Sequence, residues 1–511
     1  MIDVDRDEQE EPSTSAVNGV SSSEAVVAGV SVNGDHLRRL GPLESFLPKS
    51  FRPFVRRNYQ FELMAAATWP IAVAMVEGPV TGVIAKKSFV DTPDWVIATL
   101  TAAPAFCNIS SFLWTRFAQG RSIVRSINVI QLIVLSMILV ITFIPLSSIG
   151  LYVFLGAAIM ARFALVGVIT LRSVLWRTNY ARFERARVTG KIITIQTLVL
   201  AAVSLGLGRA MDYSQESFRV IFPFAILSGL FGVWAYSLVR VRRPFLITTN
   251  ERSALALTDY GQPSFPTGVR RLRKYGHYLT SVVRGSADAA SNIGGTLSAM
   301  WRVLHDDLPY RGYMVCMSLT GIGNLAIMAP LVLVLTEKFN LKYTGALVLL
   351  QSVPLVMMPI TIPLWSRYLD RVHVIRFRAV HVWVFVIAHA LTFWGALTLS
   401  IPLMVAGQMV RGIGFGGGAL AWNIGHNDFS SRQDAGLYMT IHVTLTGVRG
   451  AIAGYLGIIM YSGIHWGIFN FPALQEYSFV FWACLTALGA LGFMYLNWKL
   501  TELTRRRPID G

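Results

Sequence analysis

Residues 114–125 read Trp114-Thr115-Arg116-Phe117-Ala118-Gln119-Gly120-Arg121-Ser122-Ile123-Val124-Arg125, and residues 365–376 read Trp365-Ser366-Arg367-Tyr368-Leu369-Asp370-Arg371-Val372-His373-Val374-Ile375-Arg376. Both begin with Trp-x-Arg-aromatic and end in two β-branched residues and an Arg, at a constant offset of 251 residues. The same offset relates Pro79 to Pro330, and a nearby offset of 249 relates Met160-Ala-Arg162 to Met409-Val-Arg411. Because the three matches keep their order along the chain, they indicate two similar halves.

Long apolar runs surround these two stretches on both sides. The chain has 511 residues, of which 53% are hydrophobic and 14% are charged, whereas soluble proteins carry about 25% charged residues. Each run is close to the roughly 20 residues that a helix needs to cross the hydrocarbon core, and a helix pairs all of its own backbone groups there. The sequence therefore predicts an all-α membrane protein with twelve spans in two six-helix halves: 61–85, 95–113, 126–145, 150–171, 190–208, 218–240, 312–336, 344–365, 378–398, 401–424, 436–461 and 478–498.

Basic residues concentrate in alternate loops. Arg is dense after spans two, four and eight and in the C-terminal tail, whereas the loops 147–150 and 399–402 contain no basic residue. This is the positive-inside distribution, so both termini are predicted to be cytoplasmic. Lys86 and Lys87 are the main exception. The net charge of +17 needs no nucleic-acid partner, because the basic residues lie in short loops between apolar runs.

The predicted organisation has five parts, and the chain is expected in the cytoplasmic (inner) membrane. The parts are a disordered cytoplasmic tail (1–45), an N-terminal six-helix half (46–240), a basic cytoplasmic central loop (241–311), a C-terminal six-helix half (312–498) and a basic cytoplasmic tail (499–511). The first eleven residues carry six acids, which is the opposite of the basic start of a signal peptide. Residues 279–304 mix apolar and basic side chains, which is typical of an interfacial helix or of a solvated linker.

Ionisable residues inside the spans are the candidate functional groups, because a charge in the bilayer is costly and usually has a partner or a task. Glu77 is the only acid well inside any predicted span, and its candidate partners are Arg162, Arg411, His442 and Arg449. A Glu77–Arg162 pair would be either a proton-coupling site or a structural lock between two helices. His442 and Arg449 lie two helical turns apart on one face, and the excess of positive groups suits an anionic solute. The alternative is that Arg411 and Arg449 lie near helix ends and reach water.

Other polar residues are weaker candidates. Asn324 is a possible cavity residue, and Asn423 begins a polar cluster at the end of span ten: Asn423, His426, Asn427 and Asp428. The three cysteines (Cys107, Cys316 and Cys484) lie far apart in apolar runs, which indicates neither a disulfide framework nor a metal site. The glycine run of span ten lacks the preceding strand and following Lys-Ser/Thr of a phosphate loop. We therefore expect no cofactor, no metal and no enzymatic activity.

The repeated basic loop resembles the signature loop of the major facilitator superfamily, whose pattern is roughly Gly-x-x-x-Asp-Arg-x-Gly-Arg. Asp370-Arg371 keeps the acid–Arg core in the second half, whereas Gln119-Gly120 replaces it in the first. The resemblance covers about residues 61–500. It implies two parallel halves, alternating access, and a solute held near the midplane between spans one, four, seven and ten. It also implies a cytoplasmic gate, for which the candidates are Arg116, Arg121, Arg367, Asp370 and Arg371.

These features together predict a secondary active transporter that moves a small solute by alternating access. Proton coupling, as in a symporter, and an organic anion as the solute are the more specific hypotheses. The Pro-Gly signature that many exporters of the family have in the fifth helix is absent from 190–208, which argues against an exporter. The alternative is a protein of the same fold that no longer transports and acts as a sensor or an assembly partner. The expected partners are the solute and the lipid bilayer, and the expected state is a monomer.

Overall fold

The structure is a computed structural model that describes residues 46–48, 51, 53–118, 120–180, 182–241, 293–430, 435–466 and 469–506. All of the predicted tail 1–45 lies outside the described residues, as do most of the predicted central loop and the last residues of the C-terminal tail. The described helices are α1 (Pro53–Ala74), α2 (Gly78–Ser88), α3 (Asp94–Phe106), α4 (Ser111–Phe117), α5 (Ile123–Thr142), α6 (Ser148–Asn179), α7 (Arg182–Tyr213), α8 (Phe218–Ser237), α9 (Ile293–Asp306), α10 (Leu308–Ala326), α11 (Met328–Leu333), α12 (Tyr343–Leu347), α13 (Val353–Leu369), α14 (Val374–Leu397), α15 (Ile401–Ile424), α16 (Ala435–Ser462) and α17 (Tyr477–Arg506).

Short elements of other kinds complete the chain. Tight 3-10 turns follow α3, α7 and α15, at Cys107–Ser110, Gln215–Ser217 and Gly425–Asp428. Among the described residues there are two π-helical turns: Val334–Lys338 precedes the loop into α12, and Val348–Ser352 follows α12 directly. The strands β1 (Ile464–Trp466) and β2 (Phe469–Phe471) form an antiparallel hairpin between α16 and α17, which the sequence did not predict.

The span count agrees with the prediction of about twelve. Eleven helical segments among the described residues are long and apolar enough to cross a membrane. The remaining predicted span is α15, a helix of 24 residues whose Gln408, Arg411 and glycines make it less apolar. At about 1.5 Å per residue this helix still exceeds the roughly 30 Å of the hydrocarbon core. The chain is therefore a multi-pass membrane protein.

Helix packing follows the two predicted halves. Within the first half α5 packs on α6 and α8, and within the second half α14 packs on α15 and α17. Packing between the halves joins α3 to α16 and joins α7 to α12 and α13. On one side of the helix bundle, consecutive helices are connected by residues 118–122, 180–181, 370–373 and 425–434, and we call this side the arginine-rich face. The opposite side carries the β-hairpin, and we call it the hairpin face. Both termini are still only predicted to be cytoplasmic, which would make the arginine-rich face the inner one.

The first span of each half is interrupted at the equivalent place. Between α1 and α2 the amides of Met75 and Glu77 donate only three residues back, to Ala72 and Ala74, at 3.1 and 3.4 Å. The second half has the matching break at Ile327, between α10 and α11. Each break comes shortly before a proline, Pro79 in the first half and Pro330 in the second, and these two prolines are 251 residues apart. Proline has no amide hydrogen, so it cannot donate to the carbonyl oxygen four residues earlier in the helix.

The repeated tryptophans make the same bond in both halves. Trp114 Nε1 donates to the carbonyl oxygen of Phe163 at 3.0 Å, and Trp365 Nε1 donates to that of Ile413 at 2.8 Å. A Cβ on Gly167 would lie 2.6 Å from a ring atom of Trp114, so only glycine leaves room for that ring. The similarity of the two loops therefore has a structural cause, because each fixes its indole to the fourth span of its own half.

Candidate functional site

The predicted pair of Glu77 and Arg162 is formed. Glu77 stands at the interruption between α1 and α2, in an extended conformation just before Gly78. Arg162 reaches it from the middle of α6, and its Nη1 donates to Glu77 Oε1 at 2.9 Å. Arg162 is buried, and the Glu77 side chain is 20% exposed. The broken helix thus presents one carboxylate, and a charged hydrogen bond connects it to α6, the fourth span of the same half.

The equivalent place in the second half has no acid. Met328 occupies the position of Glu77 at the offset of 251 residues, and Arg411 corresponds to Arg162. Arg411 contacts the sulfur of Met328 and donates to Gln408 Oε1 at 3.4 Å. Its guanidinium is buried at 3% exposure and forms none of the ion pairs within the described part of the chain. The two halves therefore share an arginine and differ in what it faces.

Arg449 and His442 lie on the same face of α16, as predicted. Arg449 Nη1 donates to the carbonyl oxygen of Met317 at 2.9 Å, and Nη2 donates to Thr446 Oγ1 at 2.6 Å. Arg449 is therefore buried between α16 and α10, and it does not extend to water at a helix end. His442 is 1% exposed, and within the described residues neither ring nitrogen has a hydrogen-bond partner. The indole of Trp422 meets the His442 ring edge-on at 5.7 Å.

Arg378 is a third buried arginine of the second half, and the sequence analysis placed it at the boundary of a loop. The structure starts α14 at Val374, so Arg378 lies one turn inside that helix and is 3% exposed. Its Nη1 lies 3.4 Å from His381 Nδ1, and it acts electrostatically on both His442 and Arg449. The interior of the second half thus holds three guanidinium groups, and in the described ranges none of them is paired with a carboxylate.

The two asparagine candidates are not brought into this site by hydrogen bonds. Asn324 donates to Thr320 and Asn423 donates to Ala419, each four residues back in its own helix. The polar cluster after span ten serves the fold, because the Asp428 carboxylate accepts from the amide of Val374 at 2.8 Å and so caps α14. Burial, together with Arg177 nearby, lowers the pKa of His426 to about 4, so its ring is neutral near pH 7.

The structure describes the predicted gate at the arginine-rich face only in part. Arg367, Asp370 and Arg371 are exposed and form none of the ion pairs in the ranges that the structure describes. Arg121 donates to the carbonyl oxygen of Phe117 at 2.7 Å and covers the Phe117 ring, which is a contact within its own turn. The side chain of Arg116 lies outside the described residues. The role of these residues as a gate stays a prediction.

Contacts between the halves are instead found at the hairpin face. Lys86 Nζ lies 2.5 Å from Glu337 Oε1 and 3.8 Å from Asp94 Oδ1. Ser462 Oγ donates to Asp94 Oδ2 at 2.5 Å, and the Ser88 and Tyr343 hydroxyl groups lie 2.9 Å apart. These contacts explain why Lys86 departs from the loop-charge rule: its charge meets two acids on neighbouring helices. We call this set of six residues the hairpin-face latch.

Reversing the charge of Lys86 is expected to open the hairpin face. Lys86→Glu would place a third carboxylate beside Asp94 and Glu337, and like charges at this distance repel. Spin labels at Val90→Cys and Lys342→Cys, in a chain whose Cys107, Cys316 and Cys484 are replaced by serine, should report a longer distance. Lys86→Glu combined with Glu337→Lys should restore the original distance. Equal distances in all three proteins would contradict a role of the latch in closure.

Sequence reasoning missed Glu62. The predicted first span began at 61, whereas α1 begins at Pro53, so Glu62 lies ten residues inside a helix and is 1% exposed. Glu77 is therefore not the only acid well inside a span. Tyr180 Oη donates to Glu62 Oε1 at 2.6 Å, and Trp176 Nε1 donates to Glu62 Oε2. The polar residues before position 61 (Arg56, Arg57, Asn58 and Gln60) hid the true start of the helix, because they lowered its apolar content.

Comparison with known proteins supports the architecture. No family model matches the chain, and no curated protein sequence matches it. A POT family transporter in complex with a thioalcohol-conjugated peptide is similar in structure (12% identity, 87% of this chain and 97% of that chain, TM-score 0.62). So are the nucleoside transporter NupG (10%, 86% and 99%, TM-score 0.60) and the xylose transporter XylE from E. coli (13%, 87% and 98%, TM-score 0.59). The chain has the major facilitator fold, and at these identities the likeness shows the fold alone.

Proposed function

We propose that this protein is a secondary transporter that moves a small organic anion across the membrane by alternating access. The observation that supports an anionic solute is the set of three buried arginines in the second half. These arginines (Arg378, Arg411 and Arg449) have no carboxylate partner among the described residues. An uncompensated buried charge is strongly unfavourable, and a bound anion would supply the missing opposite charge. The peptide, nucleoside and sugar transporters of the same fold support transport as the activity.

The anion would bind where Arg449, His442 and Trp422 meet. Arg449 uses its two Nη atoms on Met317 and Thr446, and its Nε has no partner in the described part of the chain. Within the described residues the two ring nitrogens of His442 have no hydrogen-bond partner, and Trp422 offers an aromatic surface. A carboxylate or phosphate group suits the guanidinium and imidazole donors, and an organic body suits the indole. These groups describe a small anion with an apolar or aromatic portion.

The experiment that tests this function is an uptake comparison in proteoliposomes. Vesicles with and without the protein are incubated with a mixture of carboxylates, phosphorylated metabolites, sugars, nucleosides and short peptides, and their contents are measured by mass spectrometry. We expect selective accumulation of anions. Accumulation of neutral or cationic solutes alone would contradict the anion, and no accumulation of any solute would favour a sensor or assembly partner of the same fold.

Proton coupling is proposed to use the Glu77–Arg162 contact, because protonation of Glu77 would break its ion pair and release the broken helix from α6. A Glu77→Gln variant keeps the size and hydrogen-bonding capacity of the side chain but cannot change its charge. We expect uptake by this variant to lose its dependence on a pH gradient while exchange of internal for external solute continues. Transport that kept its full pH-gradient dependence would rule out Glu77 as the coupling carboxylate.

A further inference from the structure

Glu62 is the most buried carboxylate among the described residues of the first half, and nothing in the proposed solute site uses it. It is 1% exposed on α1, and both of its oxygens are hydrogen bonded to α6, through Trp176 and Tyr180. We propose that Glu62 is a second proton-binding carboxylate, placed between Glu77 and the arginine-rich face. The proposal rests on the transport function above, since it assigns Glu62 to the path by which the coupling proton enters or leaves.

The two hydrogen-bond partners decide which oxygen can take the proton. The indole Nε1 of Trp176 is a donor only, so the Glu62 Oε2 that it meets must remain an acceptor. The hydroxyl group of Tyr180 is both donor and acceptor, so it can donate to Glu62 Oε1 or accept from it. A proton arriving from water would therefore form an O–H bond at Glu62 Oε1. That new O–H group would donate a hydrogen bond to Tyr180 Oη, and the proton would stay on Glu62. The charged and the neutral carboxyl group can each keep both hydrogen bonds.

The charged groups around Glu62 do not hold it permanently in one state. Arg172 of α6 is the cation that acts on the carboxylate, but it forms no ion pair with it within 4.0 Å in the described ranges. Its guanidinium lies instead over the rings of Trp176 and Tyr236, at 5.1 and 5.9 Å, and against the amide of Gln196. Tyr236 on α8 also interacts with Glu62. Arg187 on α7 acts on Tyr59, which lies three residues before Glu62 on α1. Glu77 differs, because its ion pair with Arg162 is direct.

The position of Tyr180 connects this site to the arginine-rich face. Tyr180 ends α6, and its carbonyl oxygen accepts from Arg185 Nη2 at 3.2 Å, across the turn into α7. Glu62 and Glu77 are 15 residues apart, which is about 22 Å along a helix. The two carboxylates therefore join the first and fourth spans at two depths, with Glu62 nearer the face that opens to the arginine-rich loops. Protonation of Glu62 would reverse the direction of its hydrogen bond with the hydroxyl group of Tyr180, the residue that caps the end of α6.

Infrared difference spectroscopy tests the proposal without a solute. The protein in lipid vesicles is stepped from neutral to acidic pH, and the carbonyl stretch of a protonated carboxyl group shielded from water is recorded. We expect a band that Glu62→Gln removes, that Glu77→Gln retains and that Tyr180→Phe shifts in frequency, because one hydrogen bond to the carboxyl group is lost. Glu62→Gln should fold, because an amide oriented with its oxygen toward Trp176 and its nitrogen toward Tyr180 keeps both bonds.

The outcomes separate the proton site from the transport function. A spectrum of Glu62→Gln identical to that of the unmodified protein, or a Tyr180→Phe spectrum without any shift, would overturn the proposal. Loss of the band in Glu77→Gln with retention in Glu62→Gln would also overturn it and would leave Glu77 as the proton site. A band that behaves as expected in a protein without measurable uptake would uphold proton binding at Glu62 and count against the proposed transport.

Discussion

Replacing Arg449 with alanine is expected to reduce uptake of the anion roughly 10- to 100-fold, because a charge-assisted hydrogen bond contributes about 1.5–3 kcal/mol and each 1.4 kcal/mol is a factor of ten. The loss of its positive charge from the binding region adds to that effect. Arg449 also donates to Met317 and Thr446, so the variant leaves a buried carbonyl oxygen without its donor. The measurement is the initial rate of uptake in proteoliposomes for the anion found in the solute comparison.

Two further variants distinguish binding from folding. Arg311→Ala removes an exposed arginine from the start of α10 and should leave both uptake and thermal stability near those of the unmodified protein. Arg449→Lys keeps the charge but loses the planar guanidinium, so we expect an increased KM and a retained maximal rate. If Arg449→Ala transported the anion at an unchanged rate, the proposed position of the anion on α16 would be wrong.

The second large effect is expected from Gly457→Ala, a substitution that adds one methyl group. A Cβ at Gly457 on α16 would lie 2.0 Å from the carbonyl oxygen of Ala326, the last residue of α10. Because the clash is with backbone, no side-chain rotation relieves it, and α16 must move away from α10. Overpacking of this kind costs about 1–3 kcal/mol or more. We expect a large fall in Tm and in the yield of monodisperse protein in detergent.

A glycine in an open position provides the matched control. Gly156 lies in α6, and a Cβ there would meet nothing within 4 Å. Gly156→Ala should leave Tm unchanged or raise it slightly, because alanine is favoured over glycine inside a helix by about 0.5–1 kcal/mol. Equal Tm values for Gly457→Ala and Gly156→Ala would show that the close approach of α16 and α10 is not needed for stability.

The sequence predicted the architecture well because the membrane constrains it strongly. A bilayer requires long apolar helices, and hydropathy therefore revealed about twelve of them. The repeated tryptophan loop added the division into halves, and the bond from each indole to a carbonyl oxygen of the fourth span gives that repeat a physical cause. The Glu77–Arg162 pair could also be predicted, since a solitary charge inside the bilayer requires a partner.

The remaining features depend on where helices begin and on contacts between distant segments. Glu62 and Arg378 were missed because polar residues near the ends of α1 and α14 concealed the first turns of those helices. The contact of Lys86 with Glu337 joins residues 251 positions apart, and no local pattern encodes such a pair. The β-hairpin was missed because strands of three residues are too short to show alternation.

The break in the first span of each half also gives the molecule two hinges. A helix resists bending through its hydrogen bonds four residues back, and these bonds are replaced or absent around Met75–Glu77 and at Ile327. Bending can therefore concentrate at these two points, and neither half has to rotate as a single rigid body. The two hinges differ in chemistry: an ion pair of Glu77 with Arg162 braces the first, whereas at the second Arg411 contacts the uncharged thioether of Met328. A change of protonation can therefore act on the first hinge through Glu77, and Met328 offers no such group at the second.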